Sequence, residues 1–142
     1  MMFDVIKNNS DNSFYGVKTD LVGIVEKNMG VTIPDDLKNF FSEIGYGFLK
    51  TKKSNINRIM GLGSIEDFRL GTGEFLNSKE AETLKMYSDD KLVFFEVNES
   101  LYISIGISKN NYGKIFYYND VIADSLEEFL DHYIEDEEYF LR

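Results

Sequence analysis

The chain has 142 residues, 43% of them hydrophobic, with 12 Phe, 9 Tyr and one proline; this is the length of one domain, with enough apolar material for a core, and it excludes global disorder. Fifteen Lys and Arg stand against 25 Asp and Glu, a formal net charge of −10, which opposes nucleic acid as a ligand, because binding to a phosphate backbone is driven by cations that release counterions. Cysteine numbers 0, so disulfides, thiolate metal centres and cysteine nucleophiles are excluded and a reducing compartment suits the chain.

At the start, Met1-Met2-Phe3-Asp4 places an acid where a signal peptide carries basic residues, and no apolar block follows. No run approaches the roughly 20 apolar residues that span a bilayer. The expectation is a cytoplasmic protein with no membrane contact.

Residues 4 to 13 are rich in Asn, Ser and Asp, which favour turns, so about 1–15 reads as a loosely ordered lead-in. A helix is predicted from Asp20 to Met29, with Thr19 as cap, Leu21, Ile24 and Val25 on one face, and Gly30 as the stop. Pro34 then suits the first position of a second helix, with Asp35 and Asp36 at the positive end of its dipole. Leu37, Phe40, Phe41 and Ile44 share an arc of about 100°, opposite Lys38, Asn39, Ser42 and Glu43, and Gly45 ends the helix.

Gly45 to Leu49 and Arg58 to Leu62 read as two pairing strands around a polar, basic loop from Lys50 to Asn57. Ser64, with an acid three residues on, predicts a short helix before Gly71 and Gly73, and a polar helix follows from Ser78 to Tyr87. Leu92 to Val97, Leu101 to Ile107 and Lys114 to Tyr118 predict an antiparallel meander. Leu92 to Phe95 is apolar on both faces, which calls for a helix lying against it.

The last helix opens on Asp124 or Ser125, with Glu127 or Glu128 completing a capping box, and carries Leu126, Phe129, Leu130, Tyr133 and Ile134 on one face. Glu127, Glu128, Asp131 and Glu135 occupy the opposite arc. Continuing the wheel would carry Glu137 into the apolar arc, so the helix should end near Glu135 to Asp136.

From Asp120 to Arg142 there are nine acids and one base, whereas the other 119 residues carry 16 acids and 14 bases. The acidity is thus concentrated at one end. It is either a solvated face that keeps a small domain soluble or a surface for a basic protein, since complementary potentials accelerate association.

His132, the one histidine, falls on the flank of the acidic face and reads as a surface residue rather than a base or metal ligand. No G-x-S-x-G elbow, P-loop or H-E-x-x-H motif occurs, and Gly61-Leu62-Gly63 and Gly71-Thr72-Gly73 read as turns. Glu96 and Glu99 are the best candidates for a pair of catalytic carboxylates, with a turn-proximal surface position as the plainer interpretation. Phe94, Phe95, Phe116, Tyr117 and Tyr118 read as core and cross-strand partners. No catalytic residue, cofactor or metal is assigned.

The first predicted helix, then Ile33-Pro34-Asp35-Asp36-Leu37-Lys38-Asn39-Phe40-Phe41, the break Ile44-Gly45-Tyr46-Gly47 and the closing Ile122-Ala123-Asp124-Ser125-Leu126-Glu127-Glu128-Phe129-Leu130 together resemble the SUKH superfamily over about residues 18 to 135. The commonest form of the first motif has an Asn-Gly-Gly-like turn where Ile44-Gly45-Tyr46-Gly47 stands here. These are packing motifs and carry no catalytic group. The resemblance implies a single α+β domain, a central, mainly antiparallel, twisted sheet flanked by helices, and no enzymatic activity. It further implies a bacterial immunity protein that neutralises a cognate polymorphic or contact-dependent toxin, and the acidic segment favours a basic, nuclease-type partner.

On that expectation Glu127, Glu128, Asp131 and Glu135, with Asp136, Glu137 and Glu138, form the steering surface, and Tyr139 supplies an aromatic anchor. The contrary placement puts the contact on the sheet or on the Lys50 to Arg58 loop. Two other functions compete: an intracellular regulatory or scaffold module with a non-toxin partner, and a carboxylate-dependent hydrolase.

Overall fold

The computed structural model describes residues 3–53, 56–85, 89–98 and 100–142, with Val5 described by its backbone alone. It is a single α+β domain built on a seven-stranded antiparallel sheet whose strands are bonded in sequence order. The strands are β1 (Ser13–Tyr15), β2 (Tyr46–Leu49), β3 (Asn57–Ile59), β4 (Lys91–Val97), β5 (Leu101–Gly106), β6 (Ile115–Tyr117) and β7 (Asp120–Ala123). The helices are α1 (Asp4–Lys7), α2 (Asp20–Met29), α3 (Asp35–Glu43), α4 (Leu62–Leu70), α5 (Lys79–Leu84) and α6 (Leu126–Glu135). Among the described residues, short 3-10 turns also lie at Gly73–Phe75 and Tyr139–Leu141.

Directly paired residues share a face of the sheet, and the register therefore sorts the side chains into two layers. One face runs Phe14, Gly47, Ile59, Phe95, Ile103, with Ile105, Ile115 and Ala123 beyond. α6 covers it: Phe129 and Tyr133 meet the Phe95 ring at 5.2 and 5.1 Å between centroids. Phe40 of α3 packs edge-on against Phe14 and against Phe3. The opposite face runs Tyr15, Tyr46 on β1–β2 and Phe48, Arg58, Glu96, Tyr102 across β2–β5. There α4 covers the β4–β5 half, through Phe68 at 4.9 Å from Tyr102, its N-terminal end at Gly61 stands beside Tyr46, and α2 packs on α4.

All seven positions of β4 are buried. A helix on each side is the physical reason, as its two-faced apolar run required. The strand also bulges at Phe94, between Val93 and Phe95, which puts Val93 and Phe95 opposite Ser104 and Ile103.

α2 spans the predicted residues, and Gly30 ends it in the left-handed region at φ 73°, but Thr19 makes no side-chain capping bond. Pro34 stands one place earlier than expected, as the N-cap of α3, and α3 stops at Glu43 before Ile44 and Gly45. Gly45 has φ 123°, and a Cβ there would lie 2.0 Å from the Tyr15 carbonyl oxygen. No other residue fits that approach.

The structure departs from the sequence expectations at four places. Within the expected lead-in, Phe3 at the N-cap of α1 and Ile6 inside it are 3% and 2% exposed and belong to the core, and residues 13–15 pair as β1. Leu62 opens α4 rather than closing β3, and Ser64 lies inside that helix, donating to Glu74 instead of capping. The residues after Tyr118 form a further strand, β7, on the far side of a turn in which Tyr118 itself has φ 55°. The polar helix is shorter, Lys79–Leu84, with Ser78 Oγ accepting from the Ala81 N–H at 3.1 Å; Tyr87 lies outside the described residues.

Among the described residues no helix is long and apolar enough to cross a membrane.

Candidate functional site

Helix α6 is built as its sequence dictates. Ser125 Oγ accepts from the Glu128 N–H at 3.1 Å, and Glu128 Oε2 accepts from the Asp124 N–H at 3.0 Å. The capping box is thus offset by one residue, its carboxylate reaching past Ser125 to the residue before. Leu126, Phe129, Leu130 and Tyr133 are buried on one face; Asp131 and Glu135 are exposed on the other, with Glu127 and Glu128 half-buried on its flanks. His132 is exposed, its Nε2 3.4 Å from Glu128 Oε1.

The helix ends at Glu135, and Asp136 turns into extended backbone at φ −152°, ψ 98°. From here the expected steering surface divides. Glu135 lies 3.6 Å from Lys52 Nζ, Glu138 pairs with Lys53, and Asp136 pairs with Arg142. The basic loop after β2 is thus folded against the acidic tail. Among the described residues Glu127 and Asp131 have no cation within ion-pair distance, and Asp120 and Asp124 stand nearby in sequence on β7 and the loop after it.

Glu137 is a correction: it is 5% exposed and points inward. Its Oε2 accepts from Thr51 Oγ1 at 2.6 Å and from Asn57 Nδ2 at 3.5 Å, and its Oε1 accepts from the Lys53 N–H at 3.0 Å. Tyr133 OH donates to Asn57 Oδ1 at 2.5 Å, closing a buried chain of polar groups between α6, β3 and the tail. Burial, reinforced by the Glu137 charge, raises the Tyr133 phenol well above its ordinary value. The wheel had carried Glu137 to the inward side; what it could not show is that Thr51 and Asn57 wait there with donors.

Tyr139 is also not a free anchor. It is half-buried, its ring 5.2 Å from that of His132, and its OH donates to the Ile122 carbonyl at 2.7 Å. Burial, and secondarily the Glu128 charge, raises its pKa.

Glu96 is likewise not a surface residue. It is 9% exposed, its Oε1 3.2 Å from Arg58 Nε and its Oε2 accepting from Tyr102 OH at 3.0 Å. Arg58 also reaches Glu74, Nη2 to Oε2 at 3.6 Å. Burial and the adjacent Glu96 raise the Tyr102 pKa. Glu99, the proposed second carboxylate, lies outside the described residues.

The uncovered half of the second sheet face is a feature that no single stretch of sequence announced. Tyr15, Tyr46, Phe48 and Ile56 are 55, 37, 44 and 45% exposed, and Tyr15 and Tyr46 lie side by side at 5.7 Å between rings. An open cavity of about 420 Å³, lined by Phe48, Ile56, Arg58, Glu74, Glu96 and Tyr102 among others, adjoins them. The available signal was the alternation Tyr46-Gly47-Phe48-Leu49: with Leu49 inward, the two aromatics point out.

Residues 16–132 match the model of the SMI1 / KNR4 family (SUKH-1). The chain belongs to that family. A curated relative, "Immunity protein YxxD" of Bacillus subtilis (strain 168), is 41% identical over 141 residues, covering 99% of this chain and 96% of the relative. The SUKH-1 match begins just after β1 and stops inside α6. Thr51 and Asn57 of the buried tail latch, and the open sheet face except Tyr15, fall within it, whereas Tyr133, Glu137 and Tyr139 lie beyond its end.

Proposed function

We propose that this chain is an immunity protein that binds a cognate toxin and neutralises it by covering its working surface. The observation that carries this is the end-to-end similarity to a protein named as an immunity protein, at 41% identity with no large unmatched segment in either chain. The best-buried carboxylates, Glu96 and Glu137, are engaged by Arg58 and Tyr102 and by Thr51 and Asn57, which is the pattern of groups that hold a fold together.

The toxin is a basic domain, most simply a nuclease, whose positive substrate groove is complementary to a chain of net charge −10. Encounter is guided by the acidic end of the molecule: Glu127, Glu128, Asp131 and Glu135, with Asp136 and Glu138 contributing less because Lys52, Lys53 and Arg142 sit against that part. Binding takes place in the cytoplasm of the producing cell.

The test is co-expression with the C-terminal domain of the polypeptide encoded beside this chain's gene. Rescue of growth, and a stable complex on gel filtration, are expected. A toxic neighbour that kills equally with and without this chain would overturn the proposal.

A further inference from the structure

The acidic helix explains attraction but offers no pocket, and its aromatic neighbour Tyr139 is committed to the fold. Tight protein complexes are anchored differently, by a few aromatic or aliphatic groups around a desolvated pocket, ringed by neutral contacts. An exposed group of this kind, Phe48 and Ile56 beside Tyr15 and Tyr46, lies on the open sheet face and is contiguous with a cavity that also holds carboxylates.

We propose that the β1–β3 half of this face is the anchoring surface for the toxin, and that the cavity between Phe48, Ile56, Glu74 and Glu96 receives a lysine or arginine side chain of the toxin. The inference rests on the immunity function proposed above. Its support is local. Phe48 and Ile56 offer apolar wall to the methylene stem of a long cationic side chain. At the floor two carboxylates, Glu74 and Glu96, share one cation, Arg58, so the pocket carries one uncompensated negative charge in partly desolvated surroundings.

The Arg58 Nε contact with Glu96 is an ion contact without an aligned hydrogen bond, and Glu96 Oε1 has acceptor capacity left. Tyr102 fixes the other oxygen from behind at 3.0 Å. A second cation therefore meets an acid already oriented, and would form a charge-assisted bond without reorganising the site. Tyr15 and Tyr46 extend the apolar surface along β1–β2, with ring edges and hydroxyls suited to an interface rim. The division of labour is physical: the exposed acids of α6 act over a Debye length and set the rate of encounter, whereas this pocket acts at contact and sets the lifetime.

Two arms test it. In the first, backbone amide NMR follows titration of the whole chain with acetyl-Gly-Arg-Gly-amide and, separately, acetyl-Gly-Gln-Gly-amide. The arginine peptide should shift Phe48, Arg58, Glu74 and Tyr102 at millimolar concentration, and the glutamine peptide should not. Equal or absent shifts would overturn the cationic pocket without touching the immunity function. In the second, the neighbouring gene's C-terminal domain is bound to Phe48→Ser, Ile56→Ser and Glu74→Gln variants that unfold at the wild-type temperature. Dissociation should quicken at least tenfold in each, with association changed less than twofold. Wild-type dissociation in all three would overturn the anchoring surface while leaving immunity intact, whereas failure of the wild-type chain to bind or protect would count against immunity itself.

Discussion

Glu137 Oε2 accepts the Thr51 hydroxyl proton at 2.6 Å across 86 positions of sequence, so the tail after α6 is stitched to the loop that leaves β2. Thr51, Asn57 and Glu137 are all buried, and each polar atom in this chain of contacts has its partner inside the protein.

Glu137→Ala should destabilise the protein by about 1–3 kcal/mol, because it strands the Lys53 N–H and removes the shorter bond of the Thr51 hydroxyl, which keeps the Lys53 carbonyl while the Asn57 amide keeps Thr51 Oγ1. Asp131→Ala, on the exposed side of α6, should change stability by less than about 0.5 kcal/mol. Urea unfolding followed by far-ultraviolet circular dichroism separates the two, and equal midpoints would remove the tail contact from the stability of the fold.

Three buried or half-buried phenols, Tyr102, Tyr133 and Tyr139, have pKa values raised first by burial and then by a nearby carboxylate. In the unfolded chain they ionise near their ordinary value of about 10, where the folded protein still holds their protons. Stability should therefore be fully present below about pH 10 and fall as pH rises through and beyond it. Thermal unfolding between pH 8 and 11 measures the slope, and Tyr133→Phe should flatten it. A slope unaltered by that change would separate alkaline unfolding from this phenol.

Ser125→Ala removes the acceptor of the Glu128 N–H at the head of α6 and should cost about 1 kcal/mol. Ser125→Asp, which keeps an acceptor and adds charge at the favourable end of the helix dipole, should recover most of it. Denaturation midpoints of the two variants decide the point.

Gly45→Ala should cost about 3 kcal/mol or more, since the new Cβ meets the Tyr15 carbonyl at a backbone angle that L-residues rarely adopt. Gly63→Ala, within α4 and with open space around it, should be neutral or stabilising by up to about 1 kcal/mol. Melting temperatures of the pair test whether the β1–β2 approach depends on that glycine.

Glu127→Lys with Asp131→Lys should lower the association rate for the partner domain about tenfold at low salt and weaken its salt dependence, leaving dissociation nearly unchanged. Stopped-flow binding at two ionic strengths reads both. Unchanged association would take the α6 face out of the encounter.

What the sequence could disclose follows from the range of the forces involved. α2, α3, α6 and the strands from β4 to β6 were legible because each carries its own periodicity and stop signals: Gly30 after α2, the two-sided apolar run of β4, Ser125 before α6. β1 and β7 were not, because β1 is embedded among turn-forming Asn, Ser and Asp and β7 lies between a turn and the cap of α6, so both owe their conformation to the neighbour they pair with. Phe3 and Ile6 were hidden among turn-forming residues for the same reason. Within the acidic tail, charge was legible and direction was not. Glu137 and Glu138 are adjacent and chemically alike, yet one is sealed against Thr51 and the other faces Lys53 at the surface. The open aromatic face depends on three segments meeting across the register, and the pairing of Tyr15 with Tyr46 and of Phe48 with Arg58 brings them together.

The strictly consecutive order of the sheet has a bearing on how the chain reaches this state. Each strand pairs with the next in sequence, across a direct loop except between β1 and β2 and between β3 and β4, where two helices intervene, so most of the ladder can zip without waiting for remote segments, as suits rapid folding. The suture between residues 51 and 137 is the exception, a long closure that gains nothing until the sheet beneath it exists. An interaction made that late slows unfolding more than it speeds folding. The tail thus acts as a fastener that lengthens the life of the finished molecule.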